Sequence, residues 1–191
     1  MKIGVLALQG AVREHIQMLK NCGATPIEIK RIKQVDDIDG LIIPGGESTT
    51  IGKLIVDYGF FDKIKEFANL EKPVYGTCAG LILMSKRVIG ESIKTLNIMD
   101  IEVRRNAFGR QIDSMEVGLK IPKLGEKEYP AIFIRAPIIE NIGEQVETLA
   151  KVDGKIVMVQ KKNLLVSSFH PELSDDNRIH NYFLNLVDKI L

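Results

Sequence analysis

The sequence predicts a doubly wound α/β fold with a mostly parallel central sheet. Three observations carry this reading. Apolar runs of strand length alternate with longer segments whose apolar residues recur at three- and four-residue intervals. The first run, 2–8, is almost continuously apolar, as a parallel strand covered on both faces must be. Three of the runs end abruptly in Pro-Gly-Gly, Gly-x-Cys-x-Gly or His-Pro-Glu. Open α/β sheets gather ligands beyond the carboxyl ends of their strands, where such segments fall.

In chain order, Gln9-Gly10 turns the first strand into a helix over 11–22. Val12, Ile16, Leu19 and Cys22 form its apolar face, and Gly23 closes it. Strands are expected at 25–29 and 40–43, the second stopped by Pro44-Gly45-Gly46. Helices follow from about Thr50 and over 60–69. Residues 72–75 read as a buried strand, and Leu81-Ile82-Leu83-Met84 as the apolar start of the next helix.

The later half is less regular. Strands are expected at 97–104, 113–119, 131–135, 146–152, 155–160 and 164–169, with a loop at 106–110. Asp153-Gly154 is a strong hairpin signal. Ser174 is expected to cap the last helix, with Asp175 and Asp176 in its first turn. Ile179, Phe183, Leu184, Val187 and Ile190 supply that helix's buried face, and His180 is expected at the surface. No repeat, low-complexity segment or linker divides the chain. One domain over 1–191 is the expectation.

Composition narrows the function. At 191 residues, 45% hydrophobic and 27% charged, the chain has the make-up of a globular protein with a substantial core. A net charge of +1 offers no general attraction to nucleic acid or anionic membrane. No apolar run approaches the roughly 20 residues that span a bilayer. Met1-Lys2-Ile3-Gly4-Val5 lacks a signal-peptide pattern, and two cysteines make no disulfide framework. A cytoplasmic location is expected.

The candidate chemistry centres on Gly76-Thr77-Cys78-Ala79-Gly80. Its spacing is that of a nucleophile elbow with cysteine in the serine's place. A sharp strand-to-helix turn needs tiny residues two before and two after the nucleophile, and it sets the thiol at a helix N-terminus. A buried cysteine in a Gly-rich turn has the same local pattern. His170-Pro171-Glu172 adds an imidazole to take the thiol's proton and a carboxylate to orient the ring. The amide of Ala79 and one from Gly45-Gly46 are candidate donors to a developing oxyanion. His15 and Cys22, seven apart, make a poor metal pair, and Cys22 reads as core. Nothing matches a zinc pattern, a P-loop or a dinucleotide fingerprint, so no metal and no cofactor are expected.

These segments resemble the class I (triad) glutamine amidotransferases, and more closely the glutaminase subunits of pyridoxal phosphate synthase. The resembling blocks are Leu8-Gln9-Gly10-Ala11-Val12-Arg13-Glu14-His15, Pro44-Gly45-Gly46-Glu47-Ser48-Thr49-Thr50 and the elbow. Arg105-Asn106-Ala107-Phe108-Gly109-Arg110-Gln111, Phe133-Ile134-Arg135-Ala136-Pro137 and Ser168-Phe169-His170-Pro171-Glu172 complete the set. They span nearly the whole chain in order. The resemblance implies a three-layer, flavodoxin-like fold and hydrolysis of L-glutamine to glutamate and ammonia. It assigns Cys78 as nucleophile, His170 as general base and acid, and Glu172 as orienting carboxylate. Gly46, Glu47, Ser48, Arg105, Ile134 and Arg135 fall on glutamine-binding positions; which of them meets which charged end of glutamine stays open. Arg104 stands where the family often has an acid.

The resemblance also implies a partner. The chain leaves no residues for an ammonia-accepting domain, so the acceptor is expected to be a separate synthase subunit. In the family that subunit forms a ring-like core, and its docking orders the oxyanion site. The rivals are a glutaminase subunit of another enzyme, such as imidazole glycerol phosphate synthase, a non-catalytic module that binds a partner, and a redox-sensing elbow cysteine. The first and fourth blocks favour the pyridoxal phosphate family, and the filled triad opposes the non-catalytic readings.

Overall fold

The computed structural model describes residues 1–106 and 114–191. Expectations for 107–113, which include most of the loop after Asn106, lie outside the described residues. The chain opens with β1 (Lys2–Leu6), α1 (Val12–Asn21), β2 (Thr25–Ile29) and β3 (Gly40–Ile43). Then come α2 (Ser48–Asp57), α3 (Phe60–Asn69), β4 (Val74–Thr77) and the short α4 (Ala79–Met84). Strands dominate the later half: β5 (Ser85–Val88), β6 (Met99–Arg104), β7 (Ser114–Leu119), β8 (Tyr129–Ile134) and β9 (Ile138–Ile142). The chain ends with β10 (Glu147–Val152), β11 (Lys155–Lys161), β12 (Leu164–Ser167) and α5 (Arg178–Asp188).

The sheet order is β2-β1-β3-β4-β12, continued by β11-β9-β6-β5, with β10 beside β11. Its first five strands are all parallel. Their order is that of a flavodoxin-like sheet, whose ligands collect at the carboxyl ends around the switch point. The extension beyond β12 is antiparallel except for the β5–β6 pair. β7 and β8 form a separate two-stranded sheet.

Strand alternation divides the core into two layers, because successive side chains point to opposite faces. Leu6, Leu41, Ile43 and Val166 pack with Ile51, Ile55, Phe60, Ile64 and Phe67 from α2 and α3. Ile3, Val5, Ile42 and Leu165 pack on the other face with Leu19 of α1 and Phe183 and Val187 of α5. Burial of a side chain such as Phe183 contributes about 2–3 kcal/mol relative to exposure. Among the described residues no helix is long and apolar enough to cross a membrane.

Several expectations change. α4 stops after six residues, where the Ser85 hydroxyl donates to the Ile82 carbonyl at 2.7 Å and the chain turns into β5. β9 carries no alternation, since Ile138 and Ile139 are buried in succession. Its pairing with β6 and β11, rather than local pattern, holds it extended. Ser174 does not cap α5: its hydroxyl accepts from the Asp176 amide, and the Asp176 carboxylate accepts from the Arg178 amide. The helix ends at Asp188, so Ile190 lies outside it and is exposed. His180 is fully buried, not at the surface.

Candidate active site

The elbow is built by glycines packed against backbone. A Cβ on Gly76 would stand 2.6 Å from the Gly80 carbonyl carbon, and one on Gly80 only 2.1 Å from the Ile43 oxygen. The turn therefore accepts nothing larger at either place. It holds Cys78 at φ 47° and ψ −95°, a left-handed conformation that costs a non-glycine residue about 1–3 kcal/mol. The Cys78 amide donates to the Ser167 carbonyl at 2.8 Å, tying the elbow to β12. Ala79 starts α4, so its N–H has no acceptor within the helix.

His170 follows β12 and is fixed from both sides. Its amide donates to the Ile132 carbonyl at 2.8 Å, and its Nδ1 lies 2.7 Å from Glu172 Oε1. The ring packs onto Gly45, where a Cβ would come within 2.5 Å of Cε1. Burial opposes the imidazolium. Hydrogen bonds from the ring to Cys78 and Glu172 outweigh burial, and His170 is pushed up to about 10. Glu172 is nearly inaccessible; burial raises it, but His15 and His170 outweigh that and hold it below the usual carboxylate range. Thiol, imidazole and carboxylate thus form one connected line.

Beside Cys78 and His170 opens a cavity of about 410 Å³. Gly46, Glu47, Ser48, Arg105, Ile134 and Arg135, the positions the resemblance marks for glutamine binding, all line it. Gln9, Ile82 and Asn106 line it too, without having been singled out. Gln9 lies in the turn between β1 and α1 and accepts from the Glu47 amide at 3.0 Å. The Gly45 carbonyl accepts from the Ala11 amide, so the two loops lock together. A larger open hollow of about 900 Å³ lies over β7, β8 and the segment before α5, but it holds none of these groups. Chemistry, not size, identifies the site.

The charged lining residues are already ordered. Glu47 caps α2: its carboxylate accepts from the Thr50 hydroxyl at 2.6 Å and from the Thr50 and Thr49 amides. These bonds, the Thr50 hydroxyl foremost, hold it down to about 2, so it is ionised at neutral pH. Arg105 pairs with Glu91 at 2.6 Å and has Glu47 at 3.8 Å. Arg104 turns away to Glu140 at 2.7 Å. Arg135, just after β8, has φ 41° and Asn106 φ 48°, so with Cys78 three non-glycine residues of the cavity lining lie in the left-handed region. The Cys78 thiol approaches the Ile134 carbonyl at 4.0 Å.

Sequence reasoning passed over two residues behind the triad, His15 and His180. Position 15 falls on the same face as Val12, Ile16 and Leu19, and position 180 lies between Ile179 and Phe183. Helical spacing alone therefore placed both inward. Read as a metal ligand or a surface residue, each histidine hides that signal.

With this geometry in place, the likeness to known proteins is informative. The model of the SNO glutamine amidotransferase family matches residues 5–189. A "Pyridoxal 5'-phosphate synthase subunit PdxT" of Brevibacillus brevis is 54% identical over 187 residues, covering 98% of this chain and 97% of that protein. The protein of the same name from Carboxydothermus hydrogenoformans is 53% identical over 189 residues, 99% of each. A solved structure titled "Crystal structure of glutamine amidotransferase" superposes with a TM-score of 0.93 at 42% identity, covering 97% of this chain and 98% of that one. The matches run from end to end, through every segment that builds the cavity, and so the chain belongs to the SNO glutamine amidotransferase family.

Proposed function

We propose that this glutamine amidotransferase releases ammonia from L-glutamine at Cys78 and supplies it to a separate pyridoxal 5'-phosphate synthase subunit. The observation that carries the chemistry is the meeting of Cys78 and His170 on one cavity whose lining offers charges of both signs, with Glu172 bonded to His170 behind it. Near full-length likeness to proteins called synthase subunits supports the assignment of partner. The chain acts as a single glutaminase domain.

With its proton already held on His170, the Cys78 sulfur attacks the side-chain carbonyl of glutamine. The oxyanion that forms meets the amides of Ala79 and Gly46; removal of one such donor typically costs about 100- to 1,000-fold in rate. Collapse breaks the C–N bond, and His170 returns the proton to the departing ammonia. The γ-glutamyl thioester is then opened by water, which His170 deprotonates, and glutamate leaves with the thiol restored. Glu172 keeps the ring oriented throughout. Ser48, Ile134 and Arg135 hold the substrate, while Glu47 and Arg105 offer the amino acid's two charged ends one group of each sign.

The synthase acceptor is a ring-like assembly that this chain docks onto in the cytoplasm, and docking raises the glutaminase rate by ordering the oxyanion donors. Glutamate release measured with and without the cognate synthase tests this directly. The reading predicts a rate that rises on docking and vanishes in Cys78→Ala. Full activity in that variant would remove the nucleophile assignment; equal rates with and without the synthase would remove the activation.

A further inference from the structure

Behind Glu172, on the side away from Cys78, two histidines stand outside the triad chemistry. His15 of α1 and His180 of α5 are both fully buried. Glu172 uses Oε1 to receive His170 Nδ1. Its other oxygen, Oε2, makes no hydrogen bond of ordinary geometry among the described residues, and it faces His15 Nε2 at 3.4 Å. The same nitrogen lies 3.2 Å from the Thr77 hydroxyl, on the residue immediately before Cys78. On its far side His15 Nδ1 lies 3.0 Å from His180 Nε2.

Proton accounting fixes the orientation of this chain of contacts. Burial lowers both histidines, and His180 falls well below the ordinary value, so each is neutral with one N–H. A proton on His15 Nδ1 would leave a bare Nε2 facing the buried carboxylate oxygen, lone pair against lone pair. The proton therefore sits on Nε2. Nδ1 is then an acceptor, His180 Nε2 is its donor, and His180 Nδ1 is the bare nitrogen. That last atom indeed has no partner among the described residues.

We propose that His15 is a positioning residue for glutamine hydrolysis: its Nε2–H braces the outer oxygen of Glu172 against the Thr77 end of the elbow, and His180 fixes the tautomer that makes it a donor. This rests on the glutaminase reading of the site. One imidazole thereby joins the loop that carries the nucleophile to the loop that carries the base. Without it, a buried carboxylate keeps one oxygen undonated and draws His170 out of line.

Other titratable groups around Glu172 are few. His170 lies on its inner side with Cys78 beyond, and Glu14 on α1 adds a weaker field at His15. Tyr75 from β4 and Tyr129 from β8 feel the Glu172 charge but stay neutral, since burial raises both. Arg13 and Asp175 border the open hollow outside Glu172. Among these groups only His15 faces Oε2 closely enough to donate to it.

The test is the pH dependence of glutamate release by the synthase complex, for His15→Leu, His15→Gln and His180→Phe. The Leu variant is expected to lose about 10- to 100-fold in kcat with little change in KM, the scale seen when a supporting hydrogen bond is removed. Its acid limb is expected to move up by roughly one pH unit, because Glu172 then ionises less readily. The Gln variant, which retains an N–H donor at that reach, recovers most of the rate and the original limb. His180→Phe shifts the limb the same way, since His15 is free to move its proton to Nδ1; it serves also if His15→Leu does not fold. An unmoved acid limb in the Leu and Phe variants, or a Gln variant as poor as Leu, overturns the inference. An unaltered complex that releases no glutamate removes the glutaminase reading itself.

Discussion

Gly80 packs against the carbonyl of Ile43 so closely that a Cβ on it would stand 2.1 Å from the oxygen. The obstruction is backbone, at the end of a central parallel strand, and cannot rotate aside. Gly80→Ala is therefore expected to cost about 3 kcal/mol or to prevent folding. Gly90 is the contrast: it has open space around it and only its φ of +80° to lose. Gly90→Ala should cost about 1 kcal/mol. Urea unfolding of both variants checks the ranking, and equal losses would show that the elbow is not held by this contact.

Cys78 is strained where it stands, and glycine would not be. At φ 47° and ψ −95° the backbone lies outside the regions a side chain tolerates. Cys78→Gly is expected to be inactive yet more stable than the parent by about 1 kcal/mol, with Cys78→Ala inactive and no more stable. Thermal melts of the two variants decide it. Equal melting temperatures would mean that the turn stores no strain at that residue.

Stability should fall on both sides of neutrality, for different reasons. His170 is raised to about 10 against an unfolded value near 6.5, so its contribution is complete below about 6.5 and is lost as pH climbs toward 10. Glu172 is lowered, so its contribution is present above about 4.5 and is lost on acidification below that. His15 and His180 are lowered by burial; the unfolded chain binds their protons first, and stability drops as pH falls below about 6.5. Denaturation at about pH 5.5 should thus show proton uptake that His180→Phe reduces by about one. An unchanged slope would mean that His180 is not buried neutral.

The parallel half of the fold was legible because its signals are local. The strands at 25–29 and 40–43 and the helix over 60–69 begin and end where apolar spacing and turn residues said they would. The Asp153-Gly154 hairpin also formed, with both residues at positive φ. β5 and β9 escaped because their cause is pairing with distant strands, not their own pattern. α5 starts later than Ser174 suggested because Asp176 and Arg178 tie that segment to itself and to the Lys127 and Glu128 carbonyls.

The site was legible to the depth of its first contacts. Motif spacing pointed to Cys78 and His170, the family resemblance pointed to the residues around them, and these border one cavity. It did not reveal that Glu47 spends its carboxylate capping α2, which three bonds to Thr49 and Thr50 make plain. Nor did it reveal His15 and His180, whose meeting spans 165 residues of sequence and depends on how α1 and α5 pack on the same face of the sheet. Contacts between helices on one sheet face leave no mark in short motifs.

The central claim is that Cys78 attacks a glutamine side chain held in the cavity beside it. Treatment of the synthase complex with an electrophilic glutamine analogue, followed by peptide mass spectrometry, tests it most directly. One adduct is expected, on Cys78 and not on Cys22, formed in step with loss of glutamate release and slowed by excess L-glutamine. Labelling of Cys22 at the same rate, or inactivation that L-glutamine does not slow, would contradict it.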